Sequence, residues 1–171
     1  DTPAVIENCE NKGHISSPSM ADYDVYYFGG IAGKVNGAFT LRNCVNRGNL
    51  TAAVERDIAG IAVSGGNDAV FENCENYGNI TVAPNHKPNE GDRWRPCVAG
   101  IVAIENDVAT TITNCTSDCV IDATVYRATS IDKVYVFQKT WENGTEDTKT
   151  VCDEASKSNS AGTTINITTR E

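Results

Sequence analysis

Seven cysteines carry the most distinctive chemistry in this sequence, because a thiol can bind a soft metal ion, act as a nucleophile or form a disulfide. Four of them, Cys9, Cys44, Cys74 and Cys115, each follow an asparagine. A zinc site built from these four would need a C-x-x-C pair or clustered histidines, and neither accompanies them. We therefore predict no metal site and no cofactor, and we interpret the four thiols as buried structural groups.

The other three cysteines lie outside this pattern. A disulfide between Cys119 and Cys152 would tie the C-terminal residues to the rest of the chain and is one possible pairing. The C-x-x-x-C spacing of Cys115 and Cys119 could also indicate redox chemistry, but no basic residue lies nearby to lower a thiol pKa.

The four Asn-Cys pairs belong to one repeated phrase, apolar-x-Asn-Cys-x-Asn-x-Gly-x-apolar, whose fourth copy is weaker. The copies begin at Ile6, Leu41, Phe71 and Ile112. A second phrase built on Gly-Ile-Ala or a close variant separates them, at Phe28–Gly33, Ile58–Val63 and Val98–Ala103. The runs between the Gly, Asn and Asp residues are short and rich in β-branched residues, which predicts strands rather than helices. A repeat of this length predicts the coils of a solenoid.

We predict an all-β fold, a parallel β-helix solenoid that we expect to be right-handed, with about four coils of three short strands each. The repeats occupy residues 1–125, with coil corners at 8–15, 43–50, 73–80 and 114–121. Residues 126–171 lack the Asn-Cys phrase and are predicted to form a degenerate last coil and C-terminal cap, in which 162–168 aligns with 37–43. Because 4–9 starts within a coil, we expect the chain to be part of a longer protein.

Equivalent residues of a parallel solenoid stack about 4.8 Å apart, so each repeated position becomes a column. The four cysteines are predicted to form an inward column of thiols. An amide ladder is predicted from one of two sets of asparagines, either Asn8, Asn43, Asn73 and Asn114 or Asn11, Asn46 and Asn76. The turn glycines Gly13, Gly48 and Gly78 are expected to supply a positive φ at the corner.

The string from Gly29 to Gly33, followed by Gly37 and by Leu41-Arg-Asn-Cys-Val-Asn-Arg-Gly48, resembles the GLUG-type repeat of bacterial surface β-helix proteins. The resemblance covers about residues 4–125. Val63 and Ala103 stand where that motif closes on glycine, and Cys119 stands at the turn glycine. The resemblance implies a β-helix in a bacterial secreted or cell-surface protein such as an adhesin, and it leaves the ligand open.

Most of the variation in repeat length falls at one corner, between the turn glycine and the Gly-Ile-Ala phrase. The inserted segments are 16–27, 52–57 and 82–97, and the first and third are rich in aromatic and charged residues. Such side chains stack on sugars or anchor a protein partner. The candidate ligand-binding residues are Tyr23, Tyr26, His86, Arg93, Trp94 and Arg95. In the alternative interpretation, Tyr27 and Trp94 fold back over the coil edge as a lid.

A net charge of −9 argues against nucleic acid and anionic membranes as partners, and no apolar stretch is long enough to span a bilayer. No catalytic residue is predicted, because the loop carboxylates Asp22, Asp24, Glu90 and Asp92 are not paired by any motif. We expect a non-catalytic, secreted or cell-surface bacterial module that presents corner loops to a glycan or a host protein. Two alternatives stay open: a polysaccharide lyase or hydrolase fragment or accessory module, and a pure structural stalk.

Overall fold

A computed structural model describes residues 3–17, 27–53, 57–83, 97–105, 108–126, 130–137 and 149–170. These residues form 22 strands and one helix, and the strands assemble into five parallel sheets. The chain passes through the sheets in the same order, A to E, four times. The predicted parallel β-solenoid of about four coils is therefore confirmed, and its handedness stays a prediction.

Sheets A and B contain the repeated Asn-Cys phrase. Sheet A consists of β1 (Ala4–Glu7), β6 (Phe39–Arg42), β11 (Ala69–Glu72), β16 (Thr110–Thr113) and β21 (Thr150–Cys152). Sheet B consists of β2 (Glu10–Asn11), β7 (Val45–Asn46), β12 (Glu75–Asn76) and β17 (Thr116–Ser117). The Asn-Cys pair lies between the two sheets, at the corner of each coil.

The other three sheets complete the coil. Sheet C consists of β3 (Ile15–Ser17), β8 (Leu50–Ala52), β13 (Ile80–Val82), β18 (Val120–Tyr126) and β22 (Thr164–Arg170). Sheet D consists of β4 (Tyr27–Gly29), β9 (Asp57–Ala59), β14 (Cys97–Ala99) and β19 (Ser130–Asp132). Sheet E consists of β5 (Ala32–Val35), β10 (Ala62–Ser64), β15 (Val102–Ile104) and β20 (Tyr135–Phe137). The helix α1 covers Glu154–Asn159.

Four sheets stack as layers in the order C, D, E, A, with sheet B closing one edge. Ile58 of sheet D packs with Leu50 of sheet C, while Ala59 on the opposite face of sheet D packs with Val63 of sheet E. Ala62 of sheet E then packs against sheet A. Sheets D and E are therefore covered on both faces, as the fully buried strands β9, β10, β14 and β15 show.

Each coil thus has five short strands, and the prediction of three was wrong. The Gly-Ile-Ala phrase is an inner arch, defined here as one strand of sheet D, the bend after it and the following strand of sheet E. Gly60 lies at the bend, where a Cβ would collide with the carbonyl oxygen of Gly100 and the side chain of Asn76. Only glycine lets the arch reach sheet B and stack on the next arch.

Gly48 and Gly78 act by close approach, and none of the three turn glycines has a positive φ. The positive φ values belong to the asparagines of the Asn-Cys pairs, with φ of 56° at Asn8 and 53° at Asn43, so the prediction for Gly13, Gly48 and Gly78 was wrong. Asparagine tolerates this left-handed conformation better than most residues. A Cβ on Gly78 would collide with the carbonyl oxygen of Gly48, which lies directly below it.

The strand register changes two details of the predicted repeat. Val63 pairs with Lys34 and not with Gly33, because β5 contains a bulge and Gly33 is the extra residue. The fourth coil continues through β19 and β20 to Phe137, so residue 125 falls inside β18 rather than at the end of the repeats.

The fifth coil is partial and contains α1 where the other coils have a strand of sheet B. The residues 162–168 do not correspond to 37–43 as predicted, because β22 pairs with β18 in sheet C while β21 occupies the sheet A position. Side-chain oxygens replace the missing backbone acceptors: the N–H of Asn114 donates to Asp153, that of Cys115 to Ser156 and that of Ser117 to Ser160. The helix therefore caps the upper edge of sheet B.

We expect Gly78→Ala to lower the free energy of unfolding by about 2 kcal/mol, because a methyl group there must displace a backbone carbonyl of the coil below. Gly13→Ala is the matched control at the same repeat position, since the nearest atom to its Cβ would be 3.7 Å away. Urea unfolding of both variants measures the difference. Equal stabilities of the two variants would contradict the close-approach explanation.

We expect Asp153→Ala to cost about 1 kcal/mol, because the Asp153 carboxylate accepts the N–H of Ser156 as the N-cap of α1. The hydrogen bonds from Ser156 lower the pKa of Asp153 from its ordinary 3.8. Its contribution is therefore present above about pH 4 and is lost as the pH falls below it. Glu154→Ala, which removes an exposed partner of Lys157, is the control; a wild-type-like Asp153→Ala at pH 7 would refute the capping role.

Candidate functional site

The segments that carry the predicted ligand-binding residues all join sheet C to sheet D. The four connections are 18–26, 54–56, 84–96 and 127–129, and Tyr23, Tyr26, His86, Arg93, Trp94 and Arg95 lie outside the described residues. The strands before and after them stack in parallel register. We call this part of the solenoid, where sheet C ends and sheet D begins, the C–D edge. Every connection therefore starts and finishes at the same edge.

A column of chemically different side chains lies at the start of sheet D, directly after these connections. Tyr27, Asp57, Cys97 and Ser130 are stacked in register in four successive coils. The other two positions of sheet D are nearly uniform and mostly apolar, whereas this column contains a phenol, a carboxylate, a thiol and a hydroxyl. Asp57 and Cys97 have no solvent exposure.

A buried ion pair joins the first coil to the third beside this column. Glu105 accepts hydrogen bonds from the hydroxyl of Tyr27 and from Nζ of Lys34, and the side chain of Glu105 is only 6% exposed. The Lys34 ammonium also lies 4.2 Å from the centre of the Tyr27 ring, a cation–π contact. Gly65 of the second coil lies between the partners: a Cβ there would collide with Lys34 and would be 3.2 Å from Oε2 of Glu105.

The protonation states of these groups favour structural roles. Burial and the nearby Asp57 carboxylate raise the pKa of Cys97 well above its ordinary value, so the group stays a thiol. Burial alone would lower the pKa of Lys34, but the hydrogen bonds to Glu105 and Tyr27 outweigh it and the pKa is raised. Lys34 therefore stays an ammonium ion, and neither group is set up to act as a base or nucleophile at neutral pH.

Sequence reasoning missed Lys34, Asp57 and Glu105, and it placed Tyr27 only in the lid alternative. Tyr27 lies in β4 and packs on the small residues between sheets D and E, whereas Trp94, the other residue of that alternative, lies outside the described residues. The sequence did contain a signal for this column. The residue just before the Phe, Ile or Val of each sheet D strand is different in every coil, although the residues around it repeat. The ion pair itself could not be found this way, because it joins coils that are not adjacent.

Two asparagine ladders run along the corner near sheet B, although the sequence analysis proposed one or the other. In the outer ladder each amide donates to the preceding coil: Asn43 to Asn8 at 3.3 Å, Asn73 to Asn43 at 3.2 Å and Asn114 to Asn73 at 2.8 Å. Asn159 of α1 extends it by donating to Asn114 at 3.4 Å. This ladder lies at the surface.

The inner ladder is buried at Asn46 and Asn76 and runs the other way. Asn11 donates to Asn46 and Asn46 donates to Asn76, each at 2.8 Å, so every amide points to the following coil. The ladder ends at the fourth coil, where serine replaces asparagine and Asn76 donates to Sγ of Cys119 at 3.3 Å. Cys119 occupies the turn-glycine position, and its sulfur accepts the last amide.

The thiol column is present between sheets A and B. Cys44, Cys74 and Cys115 have no solvent exposure, whereas Cys9 is exposed at the first coil. Each buried thiol donates to a carbonyl of the coil below, as Cys74 does to Leu41 at 3.5 Å. Burial raises the pKa of Cys44 to about 11.

The Cys119–Cys152 disulfide considered from the sequence is absent. None of the seven cysteines, all of which lie in the described ranges, is in a disulfide. Cys119 packs in the cluster between sheets C and D, whereas Cys152 packs in the cluster between sheets E and A. The two thiols therefore pack in different cores of the solenoid.

Within the described ranges, no group of three or more His, Cys, Asp or Glu residues could hold a metal ion. No helix in that part of the chain is long and apolar enough to cross a membrane. No protein-family model, curated protein or solved structure matches the chain. The resemblance to the GLUG-type repeat thus stays a prediction from the residues.

We expect Glu105→Ala to destabilise the protein by about 3 kcal/mol, because it leaves the partly buried Lys34 ammonium without its carboxylate. Glu7→Ala is the matched control: it removes an exposed ion pair with Arg42 that also joins two coils, and its cost should stay below about 1 kcal/mol. Urea unfolding at pH 7 compares the two variants. A Glu105 variant no less stable than the Glu7 variant would show that the buried pair does not hold the coils together.

Proposed function

We propose that this chain is a non-catalytic β-solenoid module of a secreted or cell-surface bacterial protein, and that it binds a glycan through the connections at the C–D edge. The observation that carries the proposal is topological. All four connections between sheets C and D start and end at stacked, in-register strands, so segments far apart in sequence have their ends fixed at one edge of one scaffold. Function is often placed on loops that a rigid scaffold positions.

The scaffold beneath this edge suits a fixed binding surface. Two of the four strands of sheet D, β9 and β14, are buried on both faces, and the Tyr27, Lys34 and Glu105 contacts tie the first coil to the third there. A rigid base lowers the conformational entropy that a ligand must overcome when it binds. The uniform ladders on the other side of the coil supply rigidity but little chemical variety.

The composition of the connections favours a carbohydrate. The first contains Tyr23 and Tyr26, and the third contains His86 and the run Arg93-Trp94-Arg95. Aromatic rings offer flat apolar faces for sugar rings, while arginine and histidine donate hydrogen bonds to hydroxyl or acidic groups. A polysaccharide-active enzyme is the competing function; the buried thiol of Cys97 and the paired Lys34 give it no support.

We expect the chain to bind one class of glycan on an array and Trp94→Ala to weaken that binding at least about tenfold, or ~1.4 kcal/mol. Tyr77→Ala is the control, because Tyr77 is an exposed aromatic residue at the corner between sheets B and C, where it stacks with Arg47. Its loss should leave glycan binding unchanged. Circular dichroism checks that both variants are folded.

Three other results would each point elsewhere. Release of reducing ends or unsaturated products from a bound polysaccharide would indicate the enzyme. If the chain binds matrix proteins but no glycan, and Trp94→Ala abolishes this binding, the proposed surface is correct but its partner is a protein. If the folded protein binds neither the glycans nor the matrix proteins, the result would indicate a structural stalk.

A further inference from the structure

The turn between sheets E and A of the first coil contains the dipeptide Asn36-Gly37. Both residues are exposed, and neither belongs to a strand. Gly37 has a φ of 80°, and a Cβ on it would meet no atom within 4 Å, so the space beside this peptide bond is open. Asparagine is one of the chemically labile residues, and a following residue without a Cβ leaves its own nitrogen accessible to the asparagine side chain. The turn therefore presents a reactive pair at the surface.

The two reacting groups of this pair face the same two residues of the second coil. Oδ1 of Asn36 lies 2.6 Å from the position that a Cβ on Gly65 would occupy. The backbone nitrogen of Gly37 lies against Gly66, where a Cβ would collide with it. Because Gly65 and Gly66 are neighbours in the chain, the side-chain amide and the peptide nitrogen lie on one side of the turn. The glycine pair also leaves the space that a side chain at either position would fill.

The Asn36 amide lacks the hydrogen bonds that hold other asparagines of this fold. Among the residues that the structure describes, neither its side chain nor the N–H of Gly37 has a hydrogen-bond partner. By contrast, Oδ1 of Asn67 in the equivalent turn of the second coil accepts the N–H of Ala109 at 3.0 Å, and the ladder asparagines bond to one another. The Asn36 side chain is therefore free to rotate towards the peptide nitrogen that follows it.

We propose that Asn36 is a self-modification site, at which the chain converts this asparagine to aspartate and isoaspartate by deamidation. The nitrogen of Gly37 attacks Cγ of Asn36, so an N–Cγ bond forms and the Cγ–Nδ2 bond breaks. The proton of the Gly37 N–H passes through solvent to Nδ2, which leaves as ammonia. Water then opens the cyclic imide at either carbonyl and leaves one carboxylate. The site lies in an E–A turn and not in a C–D connection, so it does not depend on the proposed glycan function.

The product places a new negative charge beside the buried ion pair. Oε2 of Glu105 lies 3.2 Å from the same Cβ position on Gly65 that Asn36 borders, and the Lys34 side chain borders it too. A carboxylate at position 36 therefore competes with Glu105 for the Lys34 ammonium and repels the Glu105 carboxylate. The isoaspartate also lengthens the main chain of a turn that packs against the second coil. Deamidation should thus loosen the contact that joins the first coil to the third.

Incubation of the folded chain at mildly alkaline pH, followed by peptide mapping with mass spectrometry, tests the site. We expect the peptide that contains Asn36 to gain about 1 Da. Its rate should lie within about tenfold of the rate of a synthetic peptide with the sequence of Lys34–Phe39, while Asn67 should react at least about tenfold more slowly than Asn36. Methylation by an isoaspartate methyltransferase should detect the isoaspartate in the same peptide.

Asn36→Gln is the matched control, because it keeps an amide at an exposed position but moves it one carbon further from the peptide nitrogen. After incubation the urea midpoint of the wild type should fall, whereas that of the variant should not. Asn143 also precedes a glycine and lies outside the described residues; it reacts equally in both proteins, so the comparison removes its effect. An Asn36 that keeps its mass while the synthetic peptide reacts would overturn the proposal, and so would a rate no faster than that of Asn67.

Discussion

The parallel register between successive coils is the constraint on which the rest of this structure depends. Because each coil lies about 4.8 Å above the last, a residue at a repeated position always meets its own equivalent above and below. A side chain persists at such a position only if it interacts well with copies of itself. Amides do so by hydrogen bonding, as in Asn46 and Asn76, and small apolar groups do so by packing.

The inner arch is the second consequence of that register. A coil with one apolar layer would enclose little core, but folding two strands inward lets each coil contribute to more than one apolar cluster. The bend of each arch lies against the backbone of the next coil and leaves no room for a Cβ, which explains why Gly30, Gly60 and Gly100 are glycines. Asn46 lies against the bend at Gly30 and Asn76 against the bend at Gly60, so the ladder and the arch support each other.

The features that recur in every coil could be predicted from the sequence, whereas few of the contacts that occur only once could be. The thiol column and the asparagine ladders follow from stacking alone. The arch was mistaken for one strand because a Gly-Ile bend inside a short apolar run looks like a strand interruption, and the positive φ was assigned to Gly48 instead of Asn43 because glycine is the usual choice. The contact between Lys34 and Glu105 spans a whole coil and depends on a bare Gly65, a relation that no periodicity encodes.

The opposite directions of the two asparagine ladders have an electrostatic consequence. Each ladder is a row of aligned amide dipoles whose moments add along the axis, much as peptide dipoles add along a helix. The outer row has its N–H ends towards the first coil, and the inner row has them towards the last. The two moments oppose each other in the first three coils, where both ladders have an asparagine, so coils of this kind lengthen the solenoid while adding little net dipole along its axis.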